Sequence, residues 1–472
     1  MGIELRPYQA TFTADIAAAF RQGYRRVCGT MATGSGKGTV AAAMVARAVE
    51  RGHRVYVLAH RTELVEDLSD RIGRHGIRHG LIAANRSMDL SCAVQVASVD
   101  TIVRRLHKLP APSLIIQDEA HHLIAGNKWG KVISAWPGAY LVGLTATPQR
   151  LSGEGLGDGY GGFFQHLILG PSAAWLTEQG FLSRARVLAP PGVDLSKIRS
   201  FDTITGKARA SEMLSRGQAM GDAIGHYRRE IAPIHAGTVV GFCVSVSHAE
   251  AMAAAYRDAG IAAASLDGKT DRVIRRQLLR DLGNGALKAL FSCEIISEGT
   301  DIPSVTGAQL LRPTDSLTLY LQQVGRALRV SPGKPHAVIL DHVGNSHRHG
   351  LPTDPREWSL EGKVGGKAGE RPPSVKVCSR CFCAMPSGKS VCPECGHIFT
   401  SQPREIVNVP GQLKEIQARQ QRRAEQSSAR TLADLIAYGE ARGMQRPHAW
   451  ARHVLAAREA KRERSGRARR GA

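Results

Sequence analysis

The chain has 472 residues and a formal net charge of +22; that length exceeds one compact core and predicts two or three domains. The charge favours a polyanionic partner, because each phosphate contact releases condensed counterions, although a merely solvated basic surface gives the same balance. No apolar run is long enough to cross a bilayer, and the opening MGIELRPYQA leaves no room for a signal peptide. The expectation is therefore a cytoplasmic, soluble chain without a membrane partner. In it Cys28, Cys92, Cys243 and Cys293, each alone among apolar residues, serve as small core residues rather than disulfide partners.

Short β-rich runs at 27–31, 55–59, 93–97, 114–117 and 140–144 alternate with longer helical patterns. A second series follows at 238–243, 262–266, 288–292, 308–311 and 337–340, with helical stretches such as 248–259 between. This alternation predicts two α/β units, each a parallel sheet covered by helices. The glycine-crowded stretch 152–162 between the series predicts a mobile connection or loop rather than buried structure. After Asp341 the pattern fails, and 362–374 (GKVGGKAGERPPS) has the composition of a linker. From Arg404 onward 16 Lys or Arg stand against 7 Asp or Glu. In that tail Leu432, Leu435 and Ile436, then Trp450, Val454 and Leu455, sit at helical spacing on either side of Gly443 and Pro447, predicting a small helical hairpin before a disordered end.

MATGSGKG at 31–38 follows a predicted strand and opens an alanine-rich helix, the setting required of a phosphate-cradling loop. Across Thr33, Gly34, Ser35 and Gly36 the glycines let backbone amides close on the phosphates, the helix N-terminus adds partial positive charge, and Lys37 reaches the β- and γ-phosphates. The residue after Lys37, where a hydroxyl normally meets magnesium, is Gly38; Thr39 follows one residue later, rotated by about 100° around the helix. Three outcomes stay open: water replaces the ligand, Thr39 is recruited by local distortion, or hydrolysis is weakened. LIIQDEAHH at 114–122 is an apolar strand ending in two carboxylates. Asp118 is the expected magnesium ligand and Glu119 the group that orients and deprotonates the attacking water. Gln322, Arg326 and Arg329 recur at i, i+4 and i+7, one helical face that suits a single triphosphate.

DEAH at 118–121 resembles the Walker B box of superfamily-two DExH helicases, and further motifs follow in that family's order. RPYQ at 6–9 resembles the adenine-sensing element, with Gln9 reading the base and Arg6 beside it. AHRTEL at 59–64 and ASVDTI at 97–102 resemble the strand-binding motifs, and TATP at 145–148 the element that couples hydrolysis to strand handling. SEGTDIP at 297–303 resembles the motif that touches ribose and nucleic-acid backbone, chiefly through Gly299 and Asp301, and QQVGRALR at 322–329 the arginine-finger helix. The resemblance covers about residues 3–345. It implies two tandem RecA-like parallel-sheet domains, ATP and Mg2+ in the cleft between them, and a nucleic-acid partner. Residues 310–345 look closest to RadD-like bacterial DNA-repair helicases and their phage relatives, which also append a cysteine module; this implies DNA rather than RNA, repair or recombination, and association with the nucleoid. An RNA helicase, a scaffold that binds ATP and nucleic acid with weak or no hydrolysis, and the motor subunit of a restriction or remodelling complex are the alternatives.

CSRC at 378–381 and CPEC at 392–395 have the spacing of a zinc ribbon. Four thiolates from Cys378, Cys381, Cys392 and Cys395 complete a closed, structural Zn2+ site, with Cys383 and His397 as competing ligands and disulfides or free thiols as the alternative chemistry. Lys376, Arg380 and Lys389 flank the cysteines, so ribbon and tail are candidates to clamp DNA backbone or to dock a protein partner. The expected organisation is a first lobe at 1–170, a second at 171–350, a linker at 351–374, a zinc ribbon at 375–400 and a basic helical or disordered tail at 401–472.

Overall fold

The structure is a computed structural model that describes residues 3–60, 62–84, 86–150, 154–190, 200–214, 217–293, 305–361, 374–399, 425, 428–429 and 431–456. The chain divides into two compact units, 1–399 and 400–472. Among the described residues no helix is long and apolar enough to cross a membrane.

The first unit contains two parallel sheets. Strands β1 (Arg26–Thr30), β2 (Val55–Ala59), β3 (His79–Ile82), β4 (Val94–Ser98), β5 (Leu114–Asp118), β6 (Tyr140–Thr145) and β7 (His166–Leu169) form one, in the order β3-β4-β2-β5-β6-β1-β7. Strands β8 (Ala185–Leu188), β9 (Val239–Cys243), β10 (Ala263–Leu266), β11 (Ala289–Ser292), β12 (Gly307–Leu311) and β13 (Ala337–Asp341) form the other, in the order β10-β11-β9-β12-β13-β8. Central strands such as β2 (VYVLA) and β13 (AVILD) are buried along their whole length. Helices cover both faces of such a sheet, so the sequence runs continuously apolar instead of alternating. These are the two expected RecA-like domains.

Three strands were not foreseen: β3, β7 and β8 are four residues each and sit at or near sheet edges. Their mixed polarity reflects that half-covered position. The glycine-rich stretch also departs from expectation. Its described part, from Glu154 to Gly162, belongs to the first lobe, because β7 follows it and pairs with β1. Nor is it loosely held: Leu156 is fully buried, and the Gly157 amide donates to the Leu360 carbonyl at 2.9 Å. At Gly155 a side chain would overlap the Leu360 and Glu361 backbone, so the glycine serves close approach rather than mobility. Of the predicted linker 362–374, only Ser374 lies within the described residues.

Strands β14 (Val375–Val377) and β15 (Ala384–Pro386) form an antiparallel pair that carries the cysteine module. This module docks on the edge strand β8. The Ala189 amide donates to the Phe382 carbonyl at 2.8 Å, Cys383 lies opposite Leu188, and Arg186 bridges Glu394 at 3.0 Å and Glu230 at 2.7 Å. In the second unit, the helix Leu432–Ala441 is capped by Thr431 and Asp434, and another helix runs from 447 to at least 456. Leu435 and Ala451 are buried between them and Tyr438 stacks on Trp450, as expected of a small hairpin. The end of the tail, expected to be disordered, lies outside the described residues.

Candidate active site

The ligand crevice of a parallel sheet opens at the carboxyl ends of its strands, and the motifs collect there. After β1 the Met31 amide donates to the Thr145 carbonyl at 3.0 Å, which ties the phosphate loop to the end of β6. Gly34 and Gly36 take φ values of +88° and +91°, left-handed conformations that favour glycine, and the helix Lys37–Glu50 starts immediately after. Tyr8 Oη and Gln9 Nε2 donate to the Ser35 carbonyl at 2.8 and 2.9 Å, while Gln9 Oε1 accepts from the Arg6 amide at 3.1 Å. The RPYQ element therefore holds the loop directly. Tyr8 packs 4.9 Å from the ring of Phe181, and the Arg6 guanidinium lies 5.0 Å over that ring.

The carboxylates stand opposite. Asp118 closes β5, and Glu119 has φ of +51°, a costly conformation for a side chain with a Cβ and one that concentrates at functional sites. The Glu119 amide donates to Asp118 Oδ1 at 3.0 Å. Burial raises the Asp118 pKa above the ordinary carboxylate value, reinforced by the Glu119 charge and opposed by Lys37. Burial conversely lowers the Lys37 pKa; Glu119 and Asp118 oppose that shift, while Arg326 and Arg329 add to it. Charges from both lobes thus act on one lysine.

A chain of polar contacts, hydrogen-bonded from His121 onward, leads from the Glu119 carboxylate to the second lobe. His121 Nδ1 lies 3.4 Å from Glu119 Oε2 and 3.2 Å from Thr145 Oγ1. Thr145 donates to the Thr147 carbonyl at 2.9 Å, and Thr147 Oγ1 donates to Thr318 Oγ1, also at 2.9 Å. Thr318 belongs to the helix Leu317–Ala327, on which Gln322 and Arg326 are buried. A side chain at Gly325 of this helix would overlap Thr33, so the arginine helix lies directly on the phosphate loop. The helix ends at Ala327, which corrects the expectation that Arg329 continues one helical face. Arg329 nevertheless reaches the same place: a Cβ on Gly34 would stand 3.6 Å from its Cγ. Lys334 braces this arginine, its Nζ donating to the carbonyls of Val305 at 2.7 Å and Arg329 at 2.8 Å, and to that of Ala327. Gly299 and Asp301 lie outside the described residues.

A polyanion fits this cleft. The hydroxyls of Thr33 and Ser35 and the Gln322 amide nitrogen are buried without a hydrogen-bond partner; these are donors that phosphate oxygens would accept from. Thr39 Oγ1 lies 3.8 Å from the Cβ position of Gly36, which Gln9 also crowds. Of the groups around the cleft, Tyr8, His121, Thr318, Lys334 and Arg71, whose guanidinium lies beside Gly38, were not singled out by sequence reasoning. Tyr8 and His121 lay inside recognised motifs, but the others carry no motif signal.

In the ribbon, one ligand atom from each of Cys378, Cys381, Cys392 and Cys395 lies within 4.8 Å of the others. Burial raises the Cys378 thiol, but the amides of Cys381 and Arg380 outweigh it and hold its pKa down at about 7, whereas burial pushes the neighbouring Cys381 thiol up. The set fits a tetrahedral zinc site. Cys383 is buried and directs its thiol to the Ala384 carbonyl, and the His397 ring packs 5.0 Å from Phe399. Cys28, Cys92 and Cys243 are buried and Cys293 is half-buried.

Residues 2–150 match the family model of the type III restriction enzyme res subunit, and residues 226–331 that of the helicase conserved C-terminal domain. A 51.5 kDa protein of a Lactococcus phage is 31% identical over 387 residues, 81% of each chain. The Saccharomyces cerevisiae protein IRC3, described as an ATP-dependent helicase, is 26% identical over 362 residues, which cover 72% of this chain and 52% of the yeast one. The chain thus spans about half the length of that relative. Among solved structures, an HsdR-subunit fragment of a type I restriction enzyme from Vibrio vulnificus superposes with a TM-score of 0.53 at 22% identity, covering 72% of this chain and 64% of that one. The Type ISP restriction-modification enzyme LlaBIII, solved bound to DNA, gives a TM-score of 0.53 at 16% identity, covering 72% of this chain and 28% of that one. Both superpositions speak to the fold alone. The motif order, the paired sheets and the two family matches agree: the chain belongs to the superfamily-two helicases.

Proposed function

We propose that this protein hydrolyses ATP in the cleft between its two lobes in order to move along or unwind DNA. The observation that carries the reading is the second-lobe helix bearing Gln322 and Arg326 lying on the first-lobe loop before Lys37, where a Cβ at Gly325 would overlap Thr33 and one at Gly34 would stand 3.6 Å from Arg329 Cγ. In this reading the loop Thr33–Gly36 and Lys37 hold the phosphates, and Gln9, with Arg6 beside it, reads the adenine. Asp118 would hold Mg2+, which when bound neutralises phosphate charge and fixes the geometry of transfer. Glu119 orients the attacking water and takes its proton. Arg326 and Arg329, with Gln322, stabilise charge on the transferring phosphoryl group, a contribution of roughly 10³- to 10⁵-fold for such arginines. Closure gates the chemistry, because these guanidinium groups and the Thr318 hydroxyl belong to the second lobe. Gly299 and Asp301 are assigned to ribose and nucleic-acid backbone from their motif alone.

Support for DNA comes from the match of residues 2–150 to the type III restriction enzyme res subunit, while a net charge of +22 fits a nucleic acid of either kind. The resemblance of residues 310–345 to RadD-like proteins supports repair or recombination on the nucleoid, in the cytoplasm. We read residues 1–170 and 171–350 as the lobes, 351–374 as a linker, 375–400 as a ribbon closed by structural Zn2+, and 401–472 as a basic tail available to DNA or to a protein partner. The test is ATP hydrolysis with single-stranded DNA, duplex DNA and RNA, alongside Lys37→Ala and Glu119→Gln. Stronger stimulation by DNA, lost in both variants, is the expected result, whereas preference for RNA would move the assignment to the RNA helicases. Gly38 motivates a second reading, a scaffold that binds without turnover. Nucleotide binding with no phosphate release under any nucleic acid would establish it.

A further inference from the structure

The space beside Gly38 is filled from elsewhere in the first lobe. A Cβ built on Gly38 would fall on the guanidinium of Arg71 and stand 3.0 Å from its Cδ. Any residue other than glycine after the phosphate-loop lysine would therefore have to displace that arginine. Arg71 lies on the helix Thr62–Arg74 and its charge acts on Asp118. The hydroxyl of Thr39, by contrast, is on the side of Gly36 and Gln9. In phosphate loops of the usual pattern, a Ser or Thr at the position of Gly38 presents a hydroxyl to magnesium. Here that hydroxyl is missing and a permanently charged guanidinium occupies its surroundings.

We propose that Gly38 and Arg71 act as a pair, in which the glycine admits the arginine and Arg71 is a positioning residue that places positive charge beside the phosphates. This rests on the ATP-site reading above. A fixed cation next to the phosphates does part of the work of a hydroxyl-held metal, so nucleotide binding should depend less on Mg2+ than in a loop with the usual hydroxyl. Because the overlapping atoms are the flexible end of Arg71, a methyl group at Gly38 should evict the arginine without unfolding the lobe.

The experiment is fluorescence anisotropy of a labelled ADP on the full chain, in excess Mg2+ and in EDTA, with thermal unfolding of each variant. The native chain is expected to bind in EDTA within about tenfold of its affinity in Mg2+. Arg71→Ala and Gly38→Ala should each lower the EDTA affinity by about tenfold, the scale of one charge-assisted contact. The double variant should be no weaker than either single one, and Arg71→Lys should lose less. Gly38→Ser in the Arg71→Ala background should regain binding in Mg2+ but not in EDTA. Unchanged EDTA affinity in Arg71→Ala, or losses that multiply in the double variant, would overturn the pairing. Lys37→Ala separates the two readings: if it still binds ADP, the ATP site itself is wrongly placed, whereas its failure beside a neutral Arg71→Ala removes only the proposal about Arg71.

Discussion

Replacing Thr318 with Val tests whether lobe closure is felt at the carboxylates. Its hydroxyl accepts from Thr147 at 2.9 Å, and the two residues are 1% and 0% exposed. Without Thr318 Oγ1 the Thr147 hydroxyl becomes a buried donor with no acceptor, at a cost of about 1–3 kcal/mol. At about 1.4 kcal/mol per decade, this corresponds to roughly five- to 150-fold. The bond crosses between lobes, so the cost falls on the closed state, and kcat for nucleic-acid-stimulated ATP hydrolysis should fall about tenfold or more. Replacing both threonines with Val removes donor and acceptor together. The double variant should then be no slower than Thr318→Val, a coupling on the order of 1 kcal/mol in a double-mutant cycle. Steady-state ATPase measurements at saturating nucleic acid supply the numbers, with thermal melts to establish that each variant folds. If the two losses simply multiply, the threonines do not act through one another and the proposed coupling chain is wrong.

Lys334→Met removes the donor to three carbonyls around Arg329. Burial pushes the Lys334 pKa down to about 7, which offsets part of the loss, so stability should drop by on the order of 2–3 kcal/mol in denaturant melts. Steady-state kinetics should show kcat falling while KM for ATP holds, since Arg329 is displaced but the phosphate loop is not. Stripping zinc with a chelator, or Cys392→Ser, should open residues 374–399 to proteolysis and lower the melting temperature of the second lobe, because the ribbon is anchored on β8 through Cys383 and Glu394. Acid should weaken the same lobe. Burial holds the His248 pKa down at about 4 and that of His342 at about 3, against about 6.5 when unfolded. The unfolded state therefore binds more protons in that interval, and stability that is complete above about pH 6.5 declines as pH falls toward 4, by about 3 kcal/mol for His248. A His248→Met variant should flatten this slope in melts between pH 4 and 7; an unchanged slope would refute the assignment.

The lobes were legible because parallel strands buried on both faces leave uninterrupted apolar runs, as in β2 and β13. The same rule fails for β7 and β8, whose positions at sheet edges leave mixed polarity. Glycine composition misled at 152–162, since close approach to Leu360 and mobility call for the same residue. The phosphate loop and the paired carboxylates were readable from their setting after predicted strands, whereas RPYQ, TATP and SEGTDIP were readable only through resemblance to the helicase family. Arg329 was placed on a helix that stops at Ala327, because periodicity does not mark where a helix ends. Arg71 and Lys334 gave no signal at all. One owes its position to a missing side chain at Gly38, the other to backbone carbonyls gathered from separate segments, and neither arrangement leaves a pattern along the chain.

The most direct measurement is turnover and ATP binding in Arg326→Ala and Arg329→Ala, with saturating DNA. A site divided between two lobes predicts that both variants keep ATP affinity within several-fold while kcat falls by roughly 10³-fold or more. Undiminished turnover in either variant would contradict a catalytic role for that arginine, and undiminished turnover in both would leave the second lobe without its assigned part in hydrolysis.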